Sequence, residues 1–146
     1  MSAIPLHSRA SAAYRDAEAH PPARQIVLMH DSVIRNLEEA RRAIAAKRIE
    51  ARFTRVSKAY TIVAALQSCL DFERGGEIAL VLDRLYGHIV GRLMLINRHD
   101  DPAICDELVG LLQLMRAGWA ELAGGPGDCS RTPTTAALPL PTALSA

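Results

Sequence analysis

A few side chains in this 146-residue chain could do chemistry. His30 and Asp31 stand next to each other, in the order of a general base and a carboxylate that would orient it. His99, Asp100 and Asp101 form a run with metal-ligand character. Cys69, Cys105 and Cys129 are three thiols. Arg48, Arg52 and Arg55, with Lys58 nearby, recur at a spacing that could track phosphates. The spacing argues against most of this chemistry. Neighbours on a helix point about 100° apart, so His30 and Asp31 cannot easily touch, and they read as a polar pair on a partly exposed face. Three consecutive residues at a helix start serve as cap and loop. No CxxC pair occurs, and no Glu is followed by His three residues later, the spacing a di-iron bundle uses. HExxH, GxSxG, GxxxxGK[ST] and GxGxxG are all missing. Cys69 and Cys105 fall beside expected core positions, where an unpaired cysteine serves as a small hydrophobe. The expectation is a protein that is not an enzyme, with no cofactor and no metal. Glu50 interrupts the Arg48, Arg52 and Arg55 row, which reads as a solvated face. Binding of nucleic acid through it remains the alternative in a different class.

The elements that position these residues are helical. Apolar residues recur at intervals of three and four in four stretches. The first, about 23–46, carries Ile26, Met29, Val33, Leu37, Ala40 and Ile44 behind Pro21-Pro22, where proline does not interrupt the hydrogen-bond ladder. The second, about 50–73, carries Phe53, Val56, Tyr60, Val63, Leu66 and Leu70, and Gly75-Gly76 should end it. No Gly or Pro marks its start, so the break near Lys47-Arg48 rests on stripe phase and length. The third, about 77–98, carries Ile78, Leu82, Leu85, Ile89, Leu93 and Ile96. The fourth, about 102–123, starts at an Asp101 N-cap with Pro102 as first residue, and uses Ile104, Leu108, Leu111, Met115, Trp119 and Leu122. Short connections between long helices make neighbours antiparallel. The fold class is all-α: an antiparallel up-down four-helix bundle over 21–123. Residues 1–20 read as a flexible N-terminal arm and 124–146 as a disordered Pro/Thr-rich tail.

Composition fits this. Hydrophobic residues make up 49% of the chain and aromatics 4%, so the core must be aliphatic. A net charge of +1 gives no general attraction to nucleic acid or anionic membrane. Three widely spaced cysteines suit a reducing compartment, and neither a secretory signal nor an apolar run long enough to span a bilayer is apparent. The expected location is the cytoplasm, without direct membrane insertion.

The helices carry more apolar residues than one buried face needs. Val27, Leu28 and Ile34 fall off the first stripe. The third helix adds Leu80, Val81, Tyr86, Val90, Met94 and Leu95, and the fourth adds Val109, Leu112 and Leu114. A bundle uses about three positions in seven for its core. Some of the surplus widens the core; the remainder should form an exposed surface for another chain, most simply an amphipathic helix. Self-association through the same face, as a homodimer or helical oligomerisation module, is the competing reading.

In order, "AAY", "QIVLMHDSVIRNLEEARRAI", "VSKAYTIVAAL", "LDFERGGEIALVLDRLY", "NRHDDP" and "LLQLMRAGW" resemble the flagellin export chaperone family, FliS. The likeness runs from about Tyr14 to Glu121, and the block "LDFERGGEIA" followed by "LDRLY" is its most specific part. The resemblance implies a helical bundle that binds the disordered C-terminal segment of flagellin, blocks premature polymerisation and passes its cargo to the flagellar type III export apparatus. It also implies that Tyr14 matches the family's N-terminal tyrosine, in a segment that lies over the groove and moves when flagellin binds. The family usually has Leu-Tyr-Asp-Gly in the first helix, where this chain has Met29, His30, Asp31 and Ser32; a His for Tyr there should alter the groove's edge or its pH response. With Tyr14, the expected contacts are Leu28, Val81, Tyr86, Val90, Leu112 and Leu114.

Overall fold

The computed structural model describes residues 22–124. Four helices follow one another: α1 Ala23–Ala45, α2 Ile49–Ser68, α3 Phe72–His99 and α4 Pro102–Gly124. The expected flexible arm and disordered tail lie outside the described residues.

Each boundary has a local cause. Extended backbone at Pro22 opens α1, and its carbonyl accepts from the Gln25 and Ile26 amides. The break after α1 is a left-handed helix stop built without glycine. Lys47 sits at φ 56°, the Arg48 amide donates to the Ala43 carbonyl at 2.8 Å, and the Lys47 amide donates to Ile44 at 3.1 Å. This six-to-one bond is the pattern that usually recruits glycine. With Lys in that place, the sequence shows no breaker.

The boundary between α2 and α3 corrects the sequence reading. Helix α2 ends at Ser68, before the expected 73, and α3 begins at Phe72. The Asp71 carboxylate accepts from the Glu73 and Arg74 amides, both at 3.1 Å, and so caps a new helical turn. Gly75-Gly76 falls inside that first stretch. Gly76, at φ 49° and ψ −125°, breaks the helical path just before the continuous run that starts at about 77. A Cβ on Gly75 would lie 2.8 Å from the Ala79 Cβ. The glycine pair therefore kinks α3 and does not terminate α2. At the next boundary Asp100 takes a left-handed φ of 53°, and the Asp101 carboxylate accepts from the Ala103 amide at 2.9 Å ahead of Pro102, as the sequence reading expects.

Side-chain pairs fix the helix directions. The end of α2 meets the early part of α3 through Gln67 and Asp83, while Arg52 at the start of α2 pairs with Asp100 at the end of α3. Glu107 near the start of α4 meets Arg92 late in α3. Asp106 pairs with Arg41 late in α1, and Arg116 late in α4 pairs with Asp31 early in α1. All neighbours are antiparallel, giving the up-down bundle. α1 packs broadly on both α2 and α4, and the α3–α4 seam is the thinnest of the four.

The core is aliphatic: Val33 and Leu37 from α1, Val56, Val63 and Leu66 from α2, Leu85, Ile89 and Leu93 from α3, Leu108 and Met115 from α4. Helix α2 is rotated relative to the expected stripe. Ala59 points inward, while Phe53 and Tyr60, expected inside, are exposed. One position is about 100° of rotation, so an inward row of Val56, Ala59, Val63 and Leu66 leaves both aromatics on the flank.

Candidate partner-binding surface

The surplus apolar residues divide three ways. Ile34, Tyr86 and Leu112 are buried and widen the core. Val81, Val90, Leu95 and Val109 are partly buried against it. Leu28, Leu80, Met94 and Leu114 stand exposed, joined by Phe53 and Tyr60 from α2.

Two expected contact residues are thereby corrected in place. Tyr86 is 1% and Leu112 0% exposed, so neither offers a surface in this conformation. Tyr86 goes inside because its hydroxyl meets a buried partner, the His30 Nε2 at 3.4 Å. Leu112 faces inward four residues on from Leu108. Leu28 and Leu114, at 59% and 50% exposed, do lie outside. Tyr14 lies outside the described residues.

The anchoring pairs show which residues share a seam. His88 and Glu107 approach to 3.8 Å across α3 and α4. Val81 is seven residues before His88 and Leu114 seven after Glu107, and seven residues is two turns on the same face. The helices being antiparallel, Val81 and Leu114 come level on the α3–α4 seam. By the same reasoning, Gln67 Nε2 donates to Asp83 Oδ1 at 2.9 Å, and Tyr60 and Val90, seven residues from each, come level on the α2–α3 seam. Leu28 belongs to neither seam. It lines an open groove of about 640 Å³ between α1 and α2, with Met29, Ile62 and Ala65. An adjoining hollow of about 510 Å³ continues past Ser32 and Ile62 to Phe53. The expected contacts thus fall on three sides of the bundle. Phe53 and Tyr60 were missed as surface residues because both matched a core stripe, and one helix's sequence cannot fix its rotation; Met94, one of the surplus residues, is exposed but was not among the expected contacts.

His30 also departs from expectation. It is fully buried, with Nδ1 2.8 Å from the Ile26 carbonyl oxygen and Nε2 near Tyr86. If Nδ1 carries the proton, it donates to Ile26 and Nε2 accepts from the Tyr86 hydroxyl. Burial lowers the imidazole pKa below its usual value, against smaller raising effects from the Ile26 bond and Asp31. Burial likewise raises the Tyr86 pKa. Asp31 turns away from its neighbour and takes two bonds from the Arg116 guanidinium, one of them 3.2 Å from Nη2. These are packing and pairing roles. Cys105 is buried too, its thiol pKa pushed up to about 11 chiefly by burial, which keeps it protonated and unreactive near neutrality.

The Arg row is largely engaged within the chain. Arg52 is buried against Asp100, and Arg55 holds Glu39 at 2.6 Å. Among the described residues no group of three or more His, Cys, Asp or Glu gathers as a metal site, and no helix is long and apolar enough to cross a membrane.

A bundle with a filled core and apolar residues left on several seams matches the profile of the flagellar protein FliS over residues 7–126. The chain belongs to the FliS family. It is 34% identical over 119 residues to the flagellar secretion chaperone FliSB of Pseudomonas aeruginosa, covering 82% of this chain and 94% of that one. The flagellar secretion chaperone FliS of Vibrio cholerae is 28% identical over 71% of this chain and 76% of its own. That of Salmonella typhimurium is 31% identical over 69% and 76% respectively. The FliS match takes in all four helices and stops just beyond α4, so residues 127–146 lie outside what the family shares.

Proposed function

We propose that this protein is a cytoplasmic flagellar export chaperone. It holds the C-terminal segment of flagellin in helical form, prevents its premature polymerisation and delivers it to the export apparatus. The observation that carries the reading is the placement of apolar side chains on separate seams of a bundle whose core is already filled. Val81 and Leu114 lie on one seam, Tyr60 and Val90 on another, and Leu28 in a third groove. A compact partner would need one contiguous patch. A long segment that folds on contact can run from seam to seam, laying an amphipathic helix along each.

Holding follows from the energetics. Segments that pack together in a filament carry apolar faces that must be covered beforehand. At about 25 cal/mol per Å² of apolar area removed from water, each seam contributes a few kcal/mol, and ordering the guest offsets part of it. The complex is thus strong enough to shield the cargo and releasable at the export apparatus. No group transfer is required, and the protein is read as non-enzymatic.

The test is titration calorimetry with flagellin and with flagellin lacking its C-terminal segment. The intact protein should bind stoichiometrically and the truncated one not at all; equal binding of both would refute the reading. The nucleic-acid alternative has little support, since Arg52 and Arg55 are already paired internally. Gel-shift titration at two salt concentrations should show no complex with a steep salt dependence.

A further inference from the structure

The groove between α1 and α2 differs from the two seams in its charge. On the seams, charges are paired from helix to helix, Arg52 with Asp100 and Arg92 with Glu107. The groove is an open trough with Arg24 lining its Pro22 end and Lys58 lining the part near Phe53, and no carboxylate is among its lining residues. Both cations are exposed. Neither has an ion-pair partner among the described residues.

A third cation stands on the same rim. The Arg55–Glu39 pair sets the register of the two antiparallel helices. Arg35, four residues before Glu39, therefore comes level with Ala59, next to Lys58. Arg35 also follows Leu28 by seven residues and Arg24 by eleven, two and three turns along one face, and Leu28 and Arg24 both line the trough. Arg35 is exposed and has no ion-pair partner among the described residues. One cation thus lies about 16 Å along the helix axis from the other two. Leu28, Met29, Ile62 and Ala65 fill the interval.

We infer that this trough selects the guest by charge: the stretch that docks here is an amphipathic helix whose apolar face is flanked by carboxylates about three turns apart. The inference rests on the chaperone reading, and adds the chemistry by which one stretch of the guest is chosen and held in register.

An aliphatic floor alone does not fix register. A guest helix that slips by one turn replaces one apolar side chain with another and loses little. The same slip carries a carboxylate about 5.4 Å from its cation. Charges on the rim therefore decide which stretch lies here, and they speed encounter as well. Each exposed pair contributes up to about fivefold in affinity and is screened by salt, so the guest stays releasable. The four aliphatic side chains between the cations suit an apolar helix face and not a phosphate backbone.

The test uses two synthetic amphipathic peptides with leucines along one face. One carries Glu at two positions eleven residues apart, the other Lys at the same two. At low salt the Glu peptide should shift the amides of Leu28, Thr61, Ile62 and Ala65 and bind about fivefold or more tightly than the Lys peptide. High salt should narrow that difference. The chain carrying Arg24→Glu, Arg35→Glu and Lys58→Glu should reverse the preference. All three side chains are exposed, so its melting temperature should stay near that of the parent. Equal affinity for the two peptides, binding of neither, or shifts outside the trough overturn the inference. Trough amides that move with protein concentration before any peptide is added give the site to a second copy and overturn it too. Flagellin separates this inference from the chaperone reading. The charge-reversed chain should bind flagellin about tenfold or more weakly than the parent at low salt. If both bind it equally, the charge selection fails and the chaperone reading stands. If the parent ignores flagellin yet prefers the Glu peptide, the chaperone reading fails and the selectivity of the trough stands.

Discussion

His30 is a neutral imidazole sealed between α1 and α3 with a carbonyl and a phenol as partners. Its pKa in the folded chain lies below the unfolded value of about 6.5. The unfolded state therefore takes up the proton first as pH falls. The His30 contribution is intact above about pH 6.5 and declines below it, with a slope approaching 1.4 kcal/mol per pH unit. Chemical denaturation at pH 7.5, 6.5 and 5.5 should show this loss in the parent and a flatter profile in His30→Gln. Equal profiles would mean that His30 does not control the acid sensitivity. Core and surface readings separate in the same way. Leu112→Ala should cost about 2–5 kcal/mol of stability, as expected of a fully buried leucine. Leu114→Glu should leave the melting temperature nearly unchanged and weaken flagellin binding about tenfold or more, the loss of one well-placed apolar contact. A stability loss at Leu114 matching that at Leu112 would place it in the core.

At the scale of the element, the helix boundaries here are set by backbone geometry more than by composition. Lys47 holds a left-handed conformation that disfavours any side chain with a Cβ. Lys47→Gly should stabilise the bundle by about 0.5–1 kcal/mol, read as a shift in denaturation midpoint. The opposite sign is expected at Gly76, where φ is also positive, and Gly76→Ala should cost about 1–2 kcal/mol. Gly75→Ala should be costly for a different reason, since its Cβ would meet that of Ala79. The two α3 glycines thus let the Asp71-capped turn fold against the body of the helix.

For the whole molecule, the thin α3–α4 seam and the well-packed α1 make an asymmetric bundle. The seams that carry Val81 with Leu114 and Tyr60 with Val90 both involve α3, which places α3 at the centre of the proposed guest path. Combining Tyr60→Glu with Leu114→Glu tests the wrap. If one guest spans both seams, the losses in flagellin affinity should add within a factor of about two, because the sites share no direct contact. A second substitution without further effect would mean that the guest occupies a single seam.

The sequence by itself determined the helix count, the all-α class and much of the core, because a 3.6-residue apolar period is a one-dimensional signal. It also carried family membership, in the order and spacing of its blocks. It did not determine the rotation of α2, which exposed Phe53 and Tyr60, or the burial of Tyr86 and Leu112. Those depend on which neighbours surround each helix, and a periodic pattern leaves about one position of rotational freedom. The stop at Lys47 was invisible because its left-handed turn lacks the glycine that announces it. The burial of His30 was equally hidden, since its Tyr86 partner is brought alongside only when α1 and α3 pack. The tertiary structure decided which of the surplus apolar residues face water, because facing water is a property of the assembled bundle and of no single helix.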